Sequence, residues 1–168
     1  MDFTIRNATE QDAENIIIHM KKVLTENPDY LGTTLDEFTP TVEEEREWIR
    51  KHSEQGLMLV AESNHVIIGM LQFRLSQSKR FCHKGSLGIT VQEAYTNHGV
   101  GSALLKTLIV WAKKEERIEK ITLEVFSNNE RAIGLYSKLG FVEEGRMKKN
   151  AKLGPDHYVD DIIMSLFL

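Results

Sequence analysis

The sequence predicts an α/β (α+β) fold built on one mixed sheet. Short segments in which apolar and polar residues alternate indicate strands, and longer segments with apolar residues at helical spacing indicate helices. These segments follow one another in the order β-α-α-β-β-β-α-β-α-β-β. Hairpins join several strands and a β-α-β unit lies in the middle, so we expect both antiparallel and parallel pairs.

The first half of the chain supplies two helices and a hairpin. Thr9 and Asp12 have the spacing of a capping box, and apolar residues follow at helical intervals until Asn27-Pro28-Asp29 ends the helix. The predicted elements are a strand at 3–6, this first helix, a loop to Pro40, a helix at 42–52, and strands at 57–61 and 66–73 around a turn at 63–65.

The second half alternates strands with helices and closes on a hairpin. Asn128-Asn129 cap a short helix, which Gly140 ends. The predicted elements are a strand at 87–91, a helix from residue 100 to about 114, a strand at 121–126, the short helix, and strands at 141–149 and 157–166 on either side of a turn at 153–156.

Length and composition predict one ordinary globular domain, residues 1–168. With 168 residues, 41% of them hydrophobic, the chain can bury a core without disulfide bonds or structural metal ions. A net charge of −4 lacks the basic character of a nucleic-acid-binding protein. No apolar run approaches the roughly 20 residues of a membrane span, and the amino terminus lacks a signal-peptide pattern. We therefore expect a soluble, cytoplasmic protein with no nucleic-acid or membrane partner.

Cys82 is the only cysteine, so we expect no internal disulfide and no multi-cysteine metal site. A lone cysteine suits a reducing compartment. We expect a small, half-buried side chain on a strand rather than a nucleophile. No metal ligand is predicted.

The stretch Gly99–Gly101 begins a helix with residues that weaken helices. A strand that feeds a helix through a glycine loop leaves the first N–H groups of the helix unpaired, where they bind anions, most often phosphate. Glycine permits close approach, and Ser102 adds a hydroxyl donor. A Walker A loop would need Lys where Ser102 stands, and a Rossmann fingerprint would need glycine at Leu104. Neither nucleotide motif fits.

Two separated motifs together resemble the GNAT acetyltransferase superfamily. The matching residues are Leu87-Gly88-Ile89-Thr90-Val91, Gly99-Val100-Gly101-Ser102-Ala103-Leu104-Leu105, Asn129 with Ala132, and Tyr136-Ser137-Lys138-Leu139-Gly140-Phe141. The element order matches over nearly the whole chain, and the tail resembles that of uncharacterised bacterial members. The resemblance implies a mostly antiparallel central sheet with helices on both faces. It also implies an enzyme that moves an acetyl group from acetyl-CoA to a primary amine.

The resemblance also implies where acetyl-CoA binds. It places the pantetheine arm along Ile89, Thr90 and Val91, with main-chain bonds from Ile89 and Val91, and Asn129 on the other side of the arm. It places the diphosphate on a loop consisting of His98, Gly99, Val100, Gly101 and Ser102. Family members usually carry Arg or Gln three residues before the first glycine, where this chain has Thr96. Binding is then expected through the loop backbone, helped by Asn97 and His98.

Acetyl transfer needs an acid for the departing thiolate and a base for the amine. Tyr136 is the expected acid, because the family commonly places a tyrosine there against the coenzyme sulfur; a packed core tyrosine is the alternative. Many relatives carry a glutamate near the position of Ser86, but this chain has no acid between residues 81 and 92. Glu124, His83 and a chain of water molecules are left open as routes for the amine's proton.

The acceptor is left open among small metabolites, polyamines, antibiotics and protein amino termini. The side chains expected to border its pocket are Tyr30, Phe38, Trp48 and one of Asp160 and Asp161, since strand neighbours face opposite sides. The acidic run Glu43–Glu45 begins the second helix. It is either a solvated first turn or an attraction for a basic acceptor.

A second function class is a catalytically weak module that binds or senses acyl-CoA. Thr96 in the loop and the lack of an acid near Ser86 favour this class, whereas Asn129 and Tyr136 favour the enzyme. Many relatives pair as dimers, so we expect a homodimer through the last strands. Acetyl-CoA and an amine acceptor are the other expected partners.

Overall fold

A seven-stranded sheet runs through the molecule, with helices on both faces. The computed structural model describes residues 2–168. The strands are β1 (Thr4–Asn7), β2 (Gly56–Ser63), β3 (Val66–Leu75), β4 (Lys84–Val91), β5 (Lys120–Phe126), β6 (Val142–Gly154) and β7 (His157–Phe167). The helices are α1 (Ala13–Glu26), α2 (Val42–Glu54), α3 (Val100–Ala112) and α4 (Glu130–Lys138).

The strands lie in the order β1-β2-β3-β4-β5-β7-β6. Every neighbouring pair is antiparallel except β4 and β5, which are parallel. A parallel pair needs a crossover between its strands, and α3 supplies it. The predicted element order and the mixed, mostly antiparallel sheet are confirmed.

Each face of the sheet has its own apolar layer, because successive side chains of a strand point to opposite faces. On the face covered by α3 and α4, Leu71 and Phe73 pack in the same core as Leu104 and Leu108. The opposite layer, covered by α1 and α2, contains Ile16, Ile49, Met58, Val60 and Met70. Full burial of each such side chain is worth about 1.5–3 kcal/mol. The two layers fix the strands and helices that carry the site.

Threonines begin the segments that lead into α1 and α2. The Thr9 N–H donates to the Asp12 carboxylate at 2.8 Å, and a short 3₁₀ turn leads from there into α1. The Thr41 hydroxyl accepts from the Glu44 N–H at 3.2 Å, and the Thr41 N–H donates to the Glu44 carboxylate at 2.7 Å. A cap of this kind is worth about 1 kcal/mol. It fixes the orientation of the acidic first turn of α2.

The sheet opens between β4 and β5. Lys84–Ser86 pair with Lys120–Thr122, and the described chain shows no pairing of these strands beyond them. β4 stays paired with β3 as far as Val91, and β5 stays paired with β7 as far as Phe126. Because each strand keeps its outer partner, the two strands leave a wedge between them.

Three local predictions are wrong. β6 ends at Gly154 rather than at residue 149, so the turn before β7 is only residues 155–156. β4 begins at Lys84 rather than at Leu87, because the intervening residues pair with β5. Cys82 is exposed in the turn before β4 and is not half-buried on a strand. Its Sγ lies 3.2 Å from the Lys79 carbonyl oxygen, within that turn. Among residues 2–168, no helix has the length and apolar character needed to cross a membrane.

Candidate functional site

The wedge between β4 and β5 forms a cleft of about 870 Å³. Its lining comes from α1, β3, β4, the loop before α3, β5 and α4. The predicted site residues that line it are Ile89, Thr90, Val91, Gly99, Val100, Gly101, Ser102, Asn129 and Tyr136. His98 is outside this lining, because its exposed ring turns back and places Nδ1 2.8 Å from the Thr96 carbonyl oxygen. The fold thus brings the two separated motifs to one cavity.

The free edge of β4 presents main-chain groups to the cleft. The Gln92 N–H donates to the Ile68 carbonyl of β3 at 3.0 Å. Bonded and non-bonded positions alternate along an antiparallel pair, so Thr90 bonds β3 while Ile89 and Val91 point their N–H and C=O groups the other way. That side is the one from which β5 has separated. Ile89 and Val91 therefore keep main-chain groups available for a ligand.

The loop before α3 supplies a row of unpaired N–H groups. None of the N–H groups of residues 97–102 donates to an acceptor within residues 2–168, and the next donor is the Ala103 N–H, which bonds the Gly99 carbonyl at 2.9 Å. Asn97 and Gly99 have φ values of 61° and 84°, in the left-handed region that glycine tolerates best. The row lies at the positive end of the α3 dipole, an arrangement that suits a phosphate group.

A cation from α4 lies at the start of this loop. Arg131 Nη1 donates to Thr96 Oγ1 at 3.1 Å, and the guanidinium donates to both Glu93 carboxylate oxygens at 2.8 Å. This pairing lowers the pKa of Glu93. Arg131 and Thr96 both line the cleft. A positive side chain is thus present beside the position where the resemblance leads us to expect Arg or Gln.

Asn129 begins α4 and faces the cleft. Its Oδ1 accepts from the Ala132 N–H at 3.2 Å, which is the predicted cap. Its Nδ2 has no acceptor within the part of the chain that the structure describes. The cap therefore orients the side chain and leaves its amide NH₂ group free to donate to a ligand.

Tyr136 reaches the cleft from α4 and is only 6% exposed. Its ring packs near Phe141, with ring centroids 5.8 Å apart. Its hydroxyl has no hydrogen-bond partner in residues 2–168, and burial raises the pKa of the phenol. A phenol that keeps its proton and has no acceptor is available to donate to a ligand. Tyr136 is thus both a core residue and a cleft residue.

Two carboxylates lie on the β5–β7 wall of the cleft. Glu124 is exposed into the cavity, whereas Asp161 is buried and its Oδ1 has no partner in the described chain. Partial desolvation in the cleft, together with the neighbouring Asp161 carboxylate, raises the pKa of Glu124. Asp160 instead bonds Lys148 Nζ at 3.0 Å, so only one of the two adjacent aspartates lines the cleft. His83 lies in the turn before β4, outside the lining.

A second pocket of about 550 Å³ adjoins the cleft on the side of α1 and α2. Met20, Met70 and Gln72 line both cavities. The remaining lining residues are Glu37, Phe38, Thr39, Pro40, Glu44, Glu45 and Trp48. The aromatic residues expected near the acceptor are thus divided, since Tyr30 lines the cleft and Phe38 and Trp48 line the second pocket.

His19 is a residue of the site that the sequence analysis misses. Its fully buried ring has Nε2 2.9 Å from Thr90 Oγ1 and Nδ1 3.4 Å from Gln92 Nε2. Burial lowers the pKa of His19 to about 4, so the ring is neutral and fixes the Thr90 side chain at the cleft. The only signal in the sequence is a histidine within the apolar stripe of α1, between Ile16 and Val23.

Residues 25–141, which include both motifs and most of the cleft, match the profile of the Acetyltransferase (GNAT) family. The chain belongs to this family. An L-amino acid N-acetyltransferase of Escherichia coli K12, AaaT, is 37% identical over 107 residues, which are 64% of this chain and 65% of that protein. An N-alpha-acetyltransferase of Sulfurisphaera tokodaii is 30% identical over 166 residues, covering 94% of this chain and 91% of that protein.

The fold match extends over the whole family domain. The crystal structure of a GNAT-family acetyltransferase from Streptococcus pneumoniae superposes with a TM-score of 0.93 at 30% sequence identity, covering 99% of this chain and 100% of that chain. The chain described here is an acetyl-CoA-dependent N-acetyltransferase. The predictions of family, fold, enzyme class and acetyl donor are confirmed, and the enzyme is favoured over the acyl-CoA sensor.

Proposed function

We propose that acetyl-CoA binds between β4 and β5 and that a primary amine enters from the side of α1 and α2. One observation carries this proposal. A row of unpaired N–H groups, a free strand edge and an unpartnered phenol all line the same cleft. These features match the needs of a diphosphate, a pantetheine amide chain and a departing thiolate.

The diphosphate binds the loop before α3 in this proposal. The N–H groups of residues 97–102 donate to its oxygens, and the Ser102 hydroxyl adds a further donor. His98 contributes its main-chain N–H, since its ring is turned away. Arg131, paired with Glu93, donates to Thr96 Oγ1 and holds the start of the loop in place.

The pantetheine arm binds the edge of β4. Ile89 and Val91 bond it through their main-chain groups, and Asn129 Nδ2 donates from the opposite wall. Thr90 lies beside the arm but does not bond it through its main chain, because the Thr90 N–H and C=O groups already bond β3. His19 holds the Thr90 hydroxyl in place beneath the arm.

Tyr136 and Glu124 carry the proton transfers. Glu124 takes a proton from the acceptor's ammonium group, directly or through one water, and its raised pKa suits that role. The free amine attacks the thioester carbonyl carbon, the C–S bond breaks, and Tyr136 donates a proton to the sulfur. The second proton, which the nitrogen loses as the amide forms, returns through water to the Tyr136 oxygen, and Glu124 releases its proton to solvent. Holding both reactants in one cleft contributes roughly 7–11 kcal/mol to lowering the barrier.

We also propose a cytoplasmic homodimer. The exposed thiol of Cys82 suits a reducing compartment. β6 is an edge strand of the sheet, and it exposes the apolar side chains of Val142 and Met147. An apolar edge of this kind favours addition of a second copy.

The proposed function is tested by following thiol release from acetyl-CoA with a panel of primary amines, α-amino acids and peptide amino termini. We expect release well above hydrolysis for at least one class of amine, with an equal amount of N-acetylated product by mass spectrometry. Release no faster than hydrolysis with every acceptor, from protein that still binds CoA, contradicts the proposal.

A further inference from the structure

Glu45 is a buried carboxylate that the proposed acetyl transfer does not use. It lies in the first turn of α2, lines the second pocket and is only 6% exposed. No hydrogen bond or ion pair reaches its carboxylate from residues 2–168, and burial raises the pKa of Glu45 to about 7. Burying a carboxylate without a partner is costly, and groups of this kind cluster at functional sites.

The acidic side chains around Glu45 already have structural partners. The Glu44 carboxylate accepts hydrogen bonds within the α2 cap. Glu43 pairs with Arg46 on the surface at 3.2 Å. Glu37 accepts from a main-chain N–H of its own loop at 3.0 Å. Within this cluster, Glu45 is the carboxylate that faces the pocket without a partner among the described residues.

The rest of the second pocket suits a cation on an apolar chain. Its lining, within residues 2–168, contains no Lys, Arg or His. Phe38 and Trp48 offer aromatic rings, whose faces attract ammonium groups. Met20 and Met70 connect the pocket to the cleft, and their flexible thioethers can pack along methylene groups.

We propose that the second pocket binds the far ammonium group of an aliphatic diamine whose near amino group is acetylated in the cleft. This inference rests on the proposed function and names its acceptor class. Glu45 is the counter-ion of the far ammonium group, and the methylene chain lies along Met20 and Met70. An acceptor with a carboxylate at that end is repelled by Glu45. Glu45 thus determines specificity and takes no part in the chemistry.

Three acceptors that differ only at the far end test this directly in the wild-type enzyme. They are putrescine, n-butylamine and γ-aminobutyrate, which end in an ammonium, a methyl and a carboxylate group. We expect kcat/KM for putrescine to exceed that for butylamine by at least about tenfold, with γ-aminobutyrate the slowest. Equal values for putrescine and butylamine would overturn the diamine proposal and leave acetyl transfer intact. If no amine of any class is acetylated, the proposed function itself fails.

Two variants separate Glu45 from the general charge of α2. Glu45→Gln removes the charge at nearly constant size, so the preference for putrescine over butylamine should fall to within about twofold. Glu43→Gln removes the same charge from the exposed neighbour, and it should keep the wild-type preference. A preference retained in Glu45→Gln, or lost equally in both variants, would overturn the role of Glu45. The wild-type series needs no variant, so a poorly folded Glu45→Gln protein does not prevent the test.

Discussion

At the scale of single residues, removal of water from the cleft shifts the pKa values of the titratable side chains. Loss of water destabilises the charged form of both Tyr136 and Glu124, so the pKa of each is raised. For the phenol this guarantees a proton to donate. For the carboxylate it brings proton uptake closer to neutral pH. Desolvation thus favours the protonated form of both the proposed acid and the proposed base, and the Asp161 carboxylate adds to this effect at Glu124.

The substitution Tyr136→Phe removes the hydroxyl and keeps the ring that packs near Phe141. We expect kcat to fall about 10²–10⁴-fold, the usual contribution of a general acid, with little change in KM for acetyl-CoA. Steady-state thiol release measures both constants. Thermal unfolding serves as the control, since the packing is retained. An unchanged kcat would show that Tyr136 serves the core alone.

The sequence alone predicts those residues of the candidate site that the ends of helices require. Asn129 and the glycines lie at the ends of helices, where backbone geometry restricts the residue type. Glu45 and His19 are not assigned in this way, because burial among distant elements gives them their roles. Glu45 belongs to an acidic run that is typical of a solvated first turn, and His19 sits in an apolar stripe.

At the scale of secondary-structure elements, the site depends on contacts between α4 and the loop that leads into α3. Arg131 of α4 binds Glu93 and Thr96, which precede the glycines, and Leu135 of α4 packs beside Gly101. The type and order of the elements follow from hydrophobic periodicity. The wedge does not, because it depends on where the pairing of β4 and β5 stops.

The substitution Gly101→Val tests the close approach of phosphate to this loop. A Cβ at Gly101 would lie 3.2 Å from Leu135 Cδ2, so the added methyl groups must take up space in the cleft. We expect Kd for CoA, measured by titration calorimetry, to rise at least about 100-fold. The matched control is Gly145→Ala in β6, where a Cβ meets no atom within 4 Å. Tight binding of CoA by Gly101→Val would exclude this placement of the phosphates.

At the scale of the whole molecule, the two faces of the sheet carry different parts of the candidate site. The face of α3 and α4 carries the loop, Arg131 and Tyr136, whereas the face of α1 and α2 carries His19, Glu45 and the second pocket. Burial shifts the pKa of two titratable groups on the second face, His19 and Glu45. Burial lowers the pKa of His19 to about 4 and raises that of Glu45 to about 7. Acidification from pH 7 therefore destabilises the folded protein through His19 and stabilises it through Glu45.

His19 makes folding stability depend on pH in a definite direction. Its contribution is complete above its ordinary pKa of 6.5 and is lost as pH falls toward about 4, because the unfolded chain takes up a proton that the folded protein excludes. Between about pH 7 and pH 5, the wild type should lose about 2 kcal/mol more unfolding free energy than His19→Gln. Urea titrations at both pH values measure this difference. Glu45 titrates in both proteins and cancels.

The opposite outcome is equally specific. If wild type and His19→Gln lose the same unfolding free energy on acidification, then the folded protein protonates His19 as readily as the unfolded chain does. The lowering of the His19 pKa by burial would then be excluded.

Hydrogen–deuterium exchange with and without acetyl-CoA tests most directly whether the ligand lies between β4 and β5. We predict that acetyl-CoA slows exchange in peptides spanning residues 87–91 and 97–102, because their free N–H groups gain acceptors, and leaves β6 unchanged. The Gly101→Val protein should show no such protection. Saturating acetyl-CoA that leaves both segments unprotected, or protects only a region outside the cleft, would contradict the placement of acetyl-CoA in this wedge.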